Sequence, residues 1–221
     1  ELPSFTIVFL RVGLASLLLW LGLMLVGLKM PKDKEVWKMF FSIGLVNNVM
    51  PFSLIVWGQH HITSSLASIL NATTPFFTIV LAHFLTREER ISKNRLLGLV
   101  IGFIGVSIIV GQDFVEGVGV GTWAQFAVLG AAFLYGVALV YGRKFHSMGI
   151  KPIIAATGQL TASTLVLFPI VLLADSPWAL TNPSGTTWAA IIGLGVLSTA
   201  FAFFLGVVPL SVEIEQCLTP L

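Results

Sequence analysis

With 221 residues, 56% of them hydrophobic and only 10% charged, and a mean hydropathy of +0.96, the chain lacks the polar surface of a soluble globule, which carries about 25% charge. The net charge of +2 and basic residues without aromatic interleaving leave no nucleic-acid footprint, and the single Cys217 excludes an internal disulfide or a cysteine-based metal cluster. The composition is that of an integral membrane protein.

In chain order, Glu1-Leu2-Pro3-Ser4 lacks an initiator Met and a basic secretory region, so the start reads as internal to a longer protein. Seven apolar runs then follow: Phe5 to Leu28, Met39 to Gly58, Ser64 to Leu85, Leu96 to Gly111, Trp123 to Tyr141, Ile153 to Leu173 and Trp188 to Val208. Each approaches the roughly 20 residues that a helix needs to cross about 30 Å of hydrocarbon. They do not alternate polar with apolar as barrel strands do, so helices are expected. Connectors are short and rich in breakers, such as Met30-Pro31-Lys32-Asp33 and Gln59-His60-His61-Ile62-Thr63, where Ser64 and Ser65 are cap candidates for the next helix.

Eleven of the twelve Lys and Arg residues lie in three segments, Lys29 to Lys38, Arg87 to Arg95 and Arg143 to Lys151, which follow the first, third and fifth runs. The connectors after the second, fourth and sixth runs hold no Lys or Arg at all. Cationic loops on alternate turns put those three on the cytoplasmic side. Internal repetition agrees. Trp37 and Gly44 align with Trp188 and Gly195, Phe52 falls on Phe203, and the stretch from Arg11 to Ser16 resembles that from Gln159 to Ser163. Equivalent runs are five helices apart, so they cross the membrane in opposite senses, an inverted repeat.

The stretch Ile62-Thr63-Ser64-Ser65-Leu66-Ala67-Ser68-Ile69-Leu70-Asn71-Ala72-Thr73-Thr74-Pro75, followed by Thr86-Arg87-Glu88-Glu89-Arg90 and the glycines 98, 102 and 105, resembles the EamA-type members of the drug/metabolite transporter superfamily. The resemblance implies ten helices in two inverted five-helix repeats, of which the seven runs are helices two to eight. It divides the chain into a first repeat, 1–111, lacking its first helix, and a truncated second repeat, 112–221. The end from Val212 to Leu221 departs from the family, with only Thr219-Pro220 similar to Thr74-Pro75. The expected fold class is therefore an all-α, polytopic transmembrane helix bundle with inverted repeats.

Polar groups inside the apolar runs are the candidates for function. Arg11 costs at least about 2.5 to 3.5 kcal/mol in hydrocarbon unless it faces a wet cavity, where it would attract an anionic group, or snorkels to the interface. Asn47, Asn48, Asn71, Thr73 and Thr74 either bind substrate or bridge helices for about 0.6 kcal/mol each. Asn47 and Asn71 stand at similar depth on either side of the turn at Gln59 to Thr63. Pro51 and Pro75 each remove a backbone donor and free a carbonyl, which makes them hinge candidates, Pro75 also matching the family's proline. Tyr135 lies inside the fifth run, where its phenol needs a partner, while Trp57 and Tyr141 sit near run ends as interfacial anchors. Gln159 occupies the repeat position near Arg11. Gly98, Gly102 and Gly105 form a small-residue face for close helix packing.

The substrate-binding candidates are thus Asn47, Asn71, Thr74, Arg11, Tyr135 and Gln159, with Pro51 and Pro75 as hinges, and no catalytic residue, metal or cofactor is expected. No phosphate-binding loop or nucleophile–base pair appears, and His60-His61 alone cannot complete a metal site. No Asp or Glu lies within the seven runs, which leaves His83 or a facilitator. The expected function is secondary export of small polar metabolites by alternating access, with amino acids leading on the resemblance. The alternative is a scaffold or sensor subunit that transports nothing. Expected partners are a small-molecule substrate, the lipid bilayer of the cell inner membrane and, as one assembly left open, a second copy in a homodimer.

Overall fold

The computed structural model describes residues 2–85, 93–116, 119–175, 184–193 and 195, and every regular element among them is helical. The helices are α1 (Ser4–Leu25), α2 (Lys34–Gly44), a π-helical turn (Leu45–Val49), α3 (Met50–Gln59), α4 (Ser64–Asn71), α5 (Thr74–Leu85), α6 (Lys93–Glu116), α7 (Val120–Ser147), α8 (Pro152–Ala174) and α9 (Gly185–Gly193). Five stretches among the described residues are long and apolar enough to span a membrane: Ser4–Leu25, Lys34–Gln59, Ser64–Leu85, Val120–Ser147 and Pro152–Ala174. These coincide with the first, second, third, fifth and sixth apolar runs. The fourth forms α6, with its apolar part over Leu97–Gly111, and the seventh begins as α9. Arg87, Glu89, Arg90, Phe203, Cys217 and the tail from Val212 to Leu221 lie outside the described residues, as do the side chains of Lys93, Arg95, Asp113 and Glu116.

The helix ends follow local chemistry. α1 and α7 both stop at a glycine in the left-handed region, Gly27 (φ 71°) and Gly149 (φ 68°). The next amide then turns back on the helix, Leu28 N to Leu23 O and Ile150 N to Phe145 O, satisfying carbonyls that the helix leaves open. Asp33 caps α2 by accepting from Glu35 N at 3.0 Å. The cap of α4 is Thr63, whose hydroxyl accepts from Leu66 N, and not Ser64 or Ser65, which already lie inside the helix. Thr63 is the last residue with extended backbone, and only such a residue can turn its side chain back on the first turn.

Contacts divide the chain into two compact units, residues 1–49 with 143–221, and residues 50–142. In the first, α1 buries Val8, Val12, Ala15, Leu19 and Leu23, one stripe at helical spacing. This stripe lies in a helix that runs antiparallel to α8. Thr6 meets Asp175, Phe9 meets Phe168 with rings 6.1 Å apart, Gly13 faces Thr164, and Ser16 meets Thr161. α8 is the most enclosed helix of this unit, with small residues letting its neighbours approach. Gly158 leaves room for the Phe40 ring, which a Cβ would strike, and a Cβ on Gly44 would sit 2.6 Å from the Gln159 carbonyl oxygen.

Two basic connectors meet at one end of this unit. Val36, Phe40, Ile43, Phe145, Ala155 and Ala162 form a cluster bordered by Met30, Trp37, Ile150 and Ile154, so Lys29 to Lys38 and Arg143 to Lys151 adjoin it together. The Thr6–Asp175 contact marks the other end. Two of the three basic connectors thus share one end of this unit.

In the second unit Ala67, Leu70, Val110 and Val128 form the core. Gly58 lies against Val128 and the Ala124 carbonyl, and Gly136 lies against Phe77 and Thr78. The glycine face expected on α6 reduces to Gly102, which accommodates the Phe76 ring. A Cβ at Gly98 or Gly105 would meet nothing within 4 Å, so these two make no close approach among the described residues. Leu97, Ile101, Phe103, Ile104 and Ile108 of the same helix are exposed. Large apolar residues outside a helix bundle are what hydrocarbon solvates, and the protein is a polytopic helical membrane protein.

Candidate functional site

Proline chemistry builds the polar features of both units. Pro51 has no N–H for the carbonyl four residues back, and its ring crowds that carbonyl. The preceding residues Leu45–Val49 respond by widening into a π turn that contains Asn47 and Asn48, while the helix continues from Lys34 to Gln59. Pro75 creates the same deficit at the Asn71 carbonyl, and here the helix ends. α4 stops at Asn71 and α5 starts at Thr74. The Thr74 hydroxyl donates to Asn71 O at 2.8 Å, so the carbonyl that Pro75 frees is satisfied by a side chain, and the Thr73 hydroxyl adds a bond at 2.6 Å to Leu70 O, which also accepts from Thr73 N.

In the first unit, the π turn faces α8. Asn47 Nδ2 donates to Gln159 Oε1 at 3.1 Å, and Asn48 Nδ2 donates to Ser163 Oγ at 3.1 Å. Ser163 Oγ also lies 3.0 Å from Gly44 O and 2.6 Å from Gln159 O. Asn48 and Ser163 have no solvent exposure, Gln159 is 8% exposed, and Asn47 is half-buried. A second set joins α1 to α8: Ser16 and Thr161 share a hydrogen bond, and Trp20 Nε1 donates to Thr161 Oγ1 at 2.9 Å. Arg11 is half-buried on α1 about 10 Å from the helix start.

In the second unit, Asn71 is half-buried, yet its Oδ1 is enclosed and receives no hydrogen bond. Thr74 is half-buried, Pro75 exposed and Pro51 buried. Tyr135 is half-buried, its ring edge-on to Phe52 at 6.2 Å. Trp57 and Tyr141 are exposed near helix ends, and Trp57 stacks edgewise on His61.

Of the residues expected from sequence, Asn47 and Gln159 are brought into direct contact, Arg11 belongs to the same unit, and Asn71, Thr74, Pro51, Pro75 and Tyr135 belong to the other. Asn48, Ser163, Thr161 and Ser16 carry more of the hydrogen bonding than their place in the sequence suggests. One signal for them exists. Gln159 and Ser163 are four residues apart, on one face of α8, as a docking surface for two consecutive amides requires. No group of three or more His, Cys, Asp or Glu able to hold a metal occurs among the described residues.

The comparisons agree on one family. The EamA-like transporter family matches residues 1–111. The uncharacterized transporter YoaV of Bacillus subtilis is 25% identical over 206 residues, covering 92% of this chain and 68% of that protein. A probable terminal-alkyne amino-acid exporter of Streptantibioticus cattleyicolor is 26% identical over 200 residues, 87% of this chain and 62% of that one. An uncharacterized transporter of Archaeoglobus fulgidus is 24% identical over 163 residues, and the chain spans 55% of its length. A solved crystal structure shares the fold, with a TM-score of 0.67 at 16% identity over 89% of this chain and 66% of that one. The chain belongs to the EamA-like transporter family, a transporter of the drug/metabolite type built from membrane-spanning helices.

Proposed function

We propose that the protein exports amino acids or related small zwitterions across a bacterial-type inner membrane, by alternating access of two inverted repeats, 1–111 and 112–221. The observation that carries this reading is the enclosed, donor-less Oδ1 of Asn71 at the break between α4 and α5. A carboxamide oxygen without a donor costs about 1 to 3 kcal/mol. The carbonyl end of a helix adds negative potential at the same place. An ammonium group satisfies both. Interrupted helices with unpaired polar groups are a recurrent substrate-binding device in secondary transporters. Thr74 and Tyr135 are further polar candidates in the same unit, and Asn47, Gln159 and Arg11, described within their own unit, are the amide and cationic candidates there. The amino-acid exporter among the relatives supports this choice of substrate class. The end carrying Lys29 to Lys38 and Arg143 to Lys151 is the cytoplasmic one in this reading.

Asn71→Leu in the full-length protein removes the acceptor without changing side-chain volume greatly. Amino-acid efflux from expressing cells should fall at least tenfold at unchanged protein level, the equivalent of about 1.4 kcal/mol. Unchanged efflux takes Asn71 out of the site, and a metabolite-export screen of the same cells names the substrate.

A further inference from the structure

The end of the first unit where two connectors meet gathers more positive charge than its own carboxylates balance. Residues 29–38 and 143–151 hold seven Lys and Arg, all exposed, against two carboxylates, Asp33 and Glu35. Both carboxylates are engaged locally. Asp33 accepts from Glu35 N at the start of α2, and Glu35 is paired with Lys38 at 2.6 Å. The two side chains of that pair are 72% and 71% exposed, so in water it contributes little and exchanges readily for another anion. Asp175, the other carboxylate among the described residues of this unit, is bound to Thr6 at the opposite end. The connectors are held together because Met30, Trp37, Ile150 and Ile154 all pack on the cluster around Phe40 and Phe145. Like charges kept side by side by apolar packing repel, and an anion set among them relieves that cost.

The surface next to these charges identifies the anion. Along α2 the exposed residues Lys34, Lys38, Phe41 and Leu45 stand four, three and four positions apart, so they share one face, on which two ammonium groups give way to an aromatic ring and then to an aliphatic side chain. α1 reaches the same connector in the same manner: Leu17, Leu21, Met24 and Leu25 are exposed at helical spacing, and Lys29 follows the turn at Gly27. Trp37, one residue before Lys38, is half-buried with its Nε1 on Pro31 O at 2.9 Å, the amphipathic ring typical of the boundary between headgroups and hydrocarbon. A soluble phosphate matches the ammonium groups alone. A phospholipid matches both zones, its phosphate at the lysines and its chains along the exposed apolar residues of membrane-spanning helices.

We propose that this end of the first unit is a binding surface for anionic phospholipid, with Lys34 and Lys38 of α2 and Lys29 of the preceding connector taking the phosphate groups. The headgroup displaces Glu35 from Lys38, and the acyl chains lie against Phe41, Leu45 and the exposed stripe of α1. The surface shares no residue with the substrate candidates, and it serves in whichever leaflet this end occupies.

The test is a thermal melt of the full-length protein, free of substrate, in nanodiscs of dioleoylphosphatidylcholine with a rising share of dioleoylphosphatidylglycerol, which changes the headgroup charge and keeps the chains. The melting temperature should rise by several degrees with the phosphatidylglycerol share and reach a plateau. The triple variant Lys29→Gln, Lys34→Gln, Lys38→Gln should lose most of that rise, and the corresponding Lys→Arg triple, which keeps the charge, should retain it. All three lysines are exposed, so the glutamine variant should fold as the parent does. Glycerol phosphate added to discs of phosphatidylcholine alone should leave the melting temperature unchanged. Equal melting temperatures across the lipid series overturn the proposal. A phosphatidylglycerol shift that survives the glutamine triple also overturns it, by placing the lipid elsewhere, and an equal shift from glycerol phosphate does so by making this a site for a soluble anion. Since no substrate is present, the outcome is independent of the role of Asn71.

Discussion

The second and third membrane spans carry the same local instruction, an asparagine followed four residues later by a proline, Asn47 to Pro51 and Asn71 to Pro75, and they answer it differently. The second span widens into a π turn and stays one helix. The third breaks into α4 and α5. The residues between each pair explain the difference. Val49 and Met50 have no hydroxyl to give a freed carbonyl, so the second span keeps its carbonyls within backbone rings by enlarging them. Thr73 and Thr74 supply two hydroxyls, and these close on Leu70 O and Asn71 O. A proline in a membrane helix thus makes a widened turn or a true interruption according to whether side-chain donors stand within reach.

The strongest way to break this comparison is at Gly44, on which the docking of the widened turn depends. Gly44→Val drives a side chain into the backbone of α8 and should destabilise the protein by about 3 kcal/mol, read as a lower melting temperature and less folded protein in the membrane. Next is the double variant Thr73→Val, Thr74→Val, which strips the interrupted span of its donors. A loss of about 2 kcal/mol is expected, together with partial closure of the break, measured as a changed distance between spin labels at residues 66 and 80. If α4 and α5 keep their relation, the hydroxyls are not the cause of the interruption.

Pro51→Ala sharpens the comparison from the other side by restoring the missing N–H. The π turn should tighten into regular helix, turning Asn47 and Asn48 by about 100° for the one residue removed from the bulge and separating them from Gln159 and Ser163. Crosslinking between cysteines placed at 47 and 159 reports that rotation directly. The smallest effect expected is from Gly105→Ala, where a methyl group meets open space. A change within about 0.5 kcal/mol in the melt, against a clear loss for Gly102→Leu beside Phe76, separates the glycine that is packed from the one that is not.

The spans themselves were legible in the sequence, since an apolar run of membrane length admits few structures, and five of the seven expected runs are candidate spans with nearly the expected limits. Two of the three basic connectors were equally legible, because Lys29 to Lys38 and Arg143 to Lys151 do adjoin one cluster. Less could be read of the polar residues. The pairing of Asn47 with Gln159 joins positions 112 residues apart, and that of Asn48 with Ser163 joins positions 115 apart. Neither leaves a periodicity. The two identical asparagine–proline spacings hid their different outcomes, since the deciding information was a count of hydroxyl donors against freed carbonyls. Gly98 and Gly105 share the spacing of a packing face with Gly102 but not its partner, because spacing says which residues share a side and not what stands opposite.

The first turn of α1 begins after Pro3, whose side chain offers no cap, and the amide of Thr6 is instead held by Asp175 Oδ2 at 2.6 Å, with the Thr6 hydroxyl at 2.7 Å on the same oxygen. The acceptor lies 169 residues downstream. At a ribosomal pace of about 5 to 20 residues per second, that amide waits on the order of ten seconds or more for its carboxylate. α1 is therefore made well before its first turn is sealed, and the arrival of α8 in the bilayer is the event that completes it.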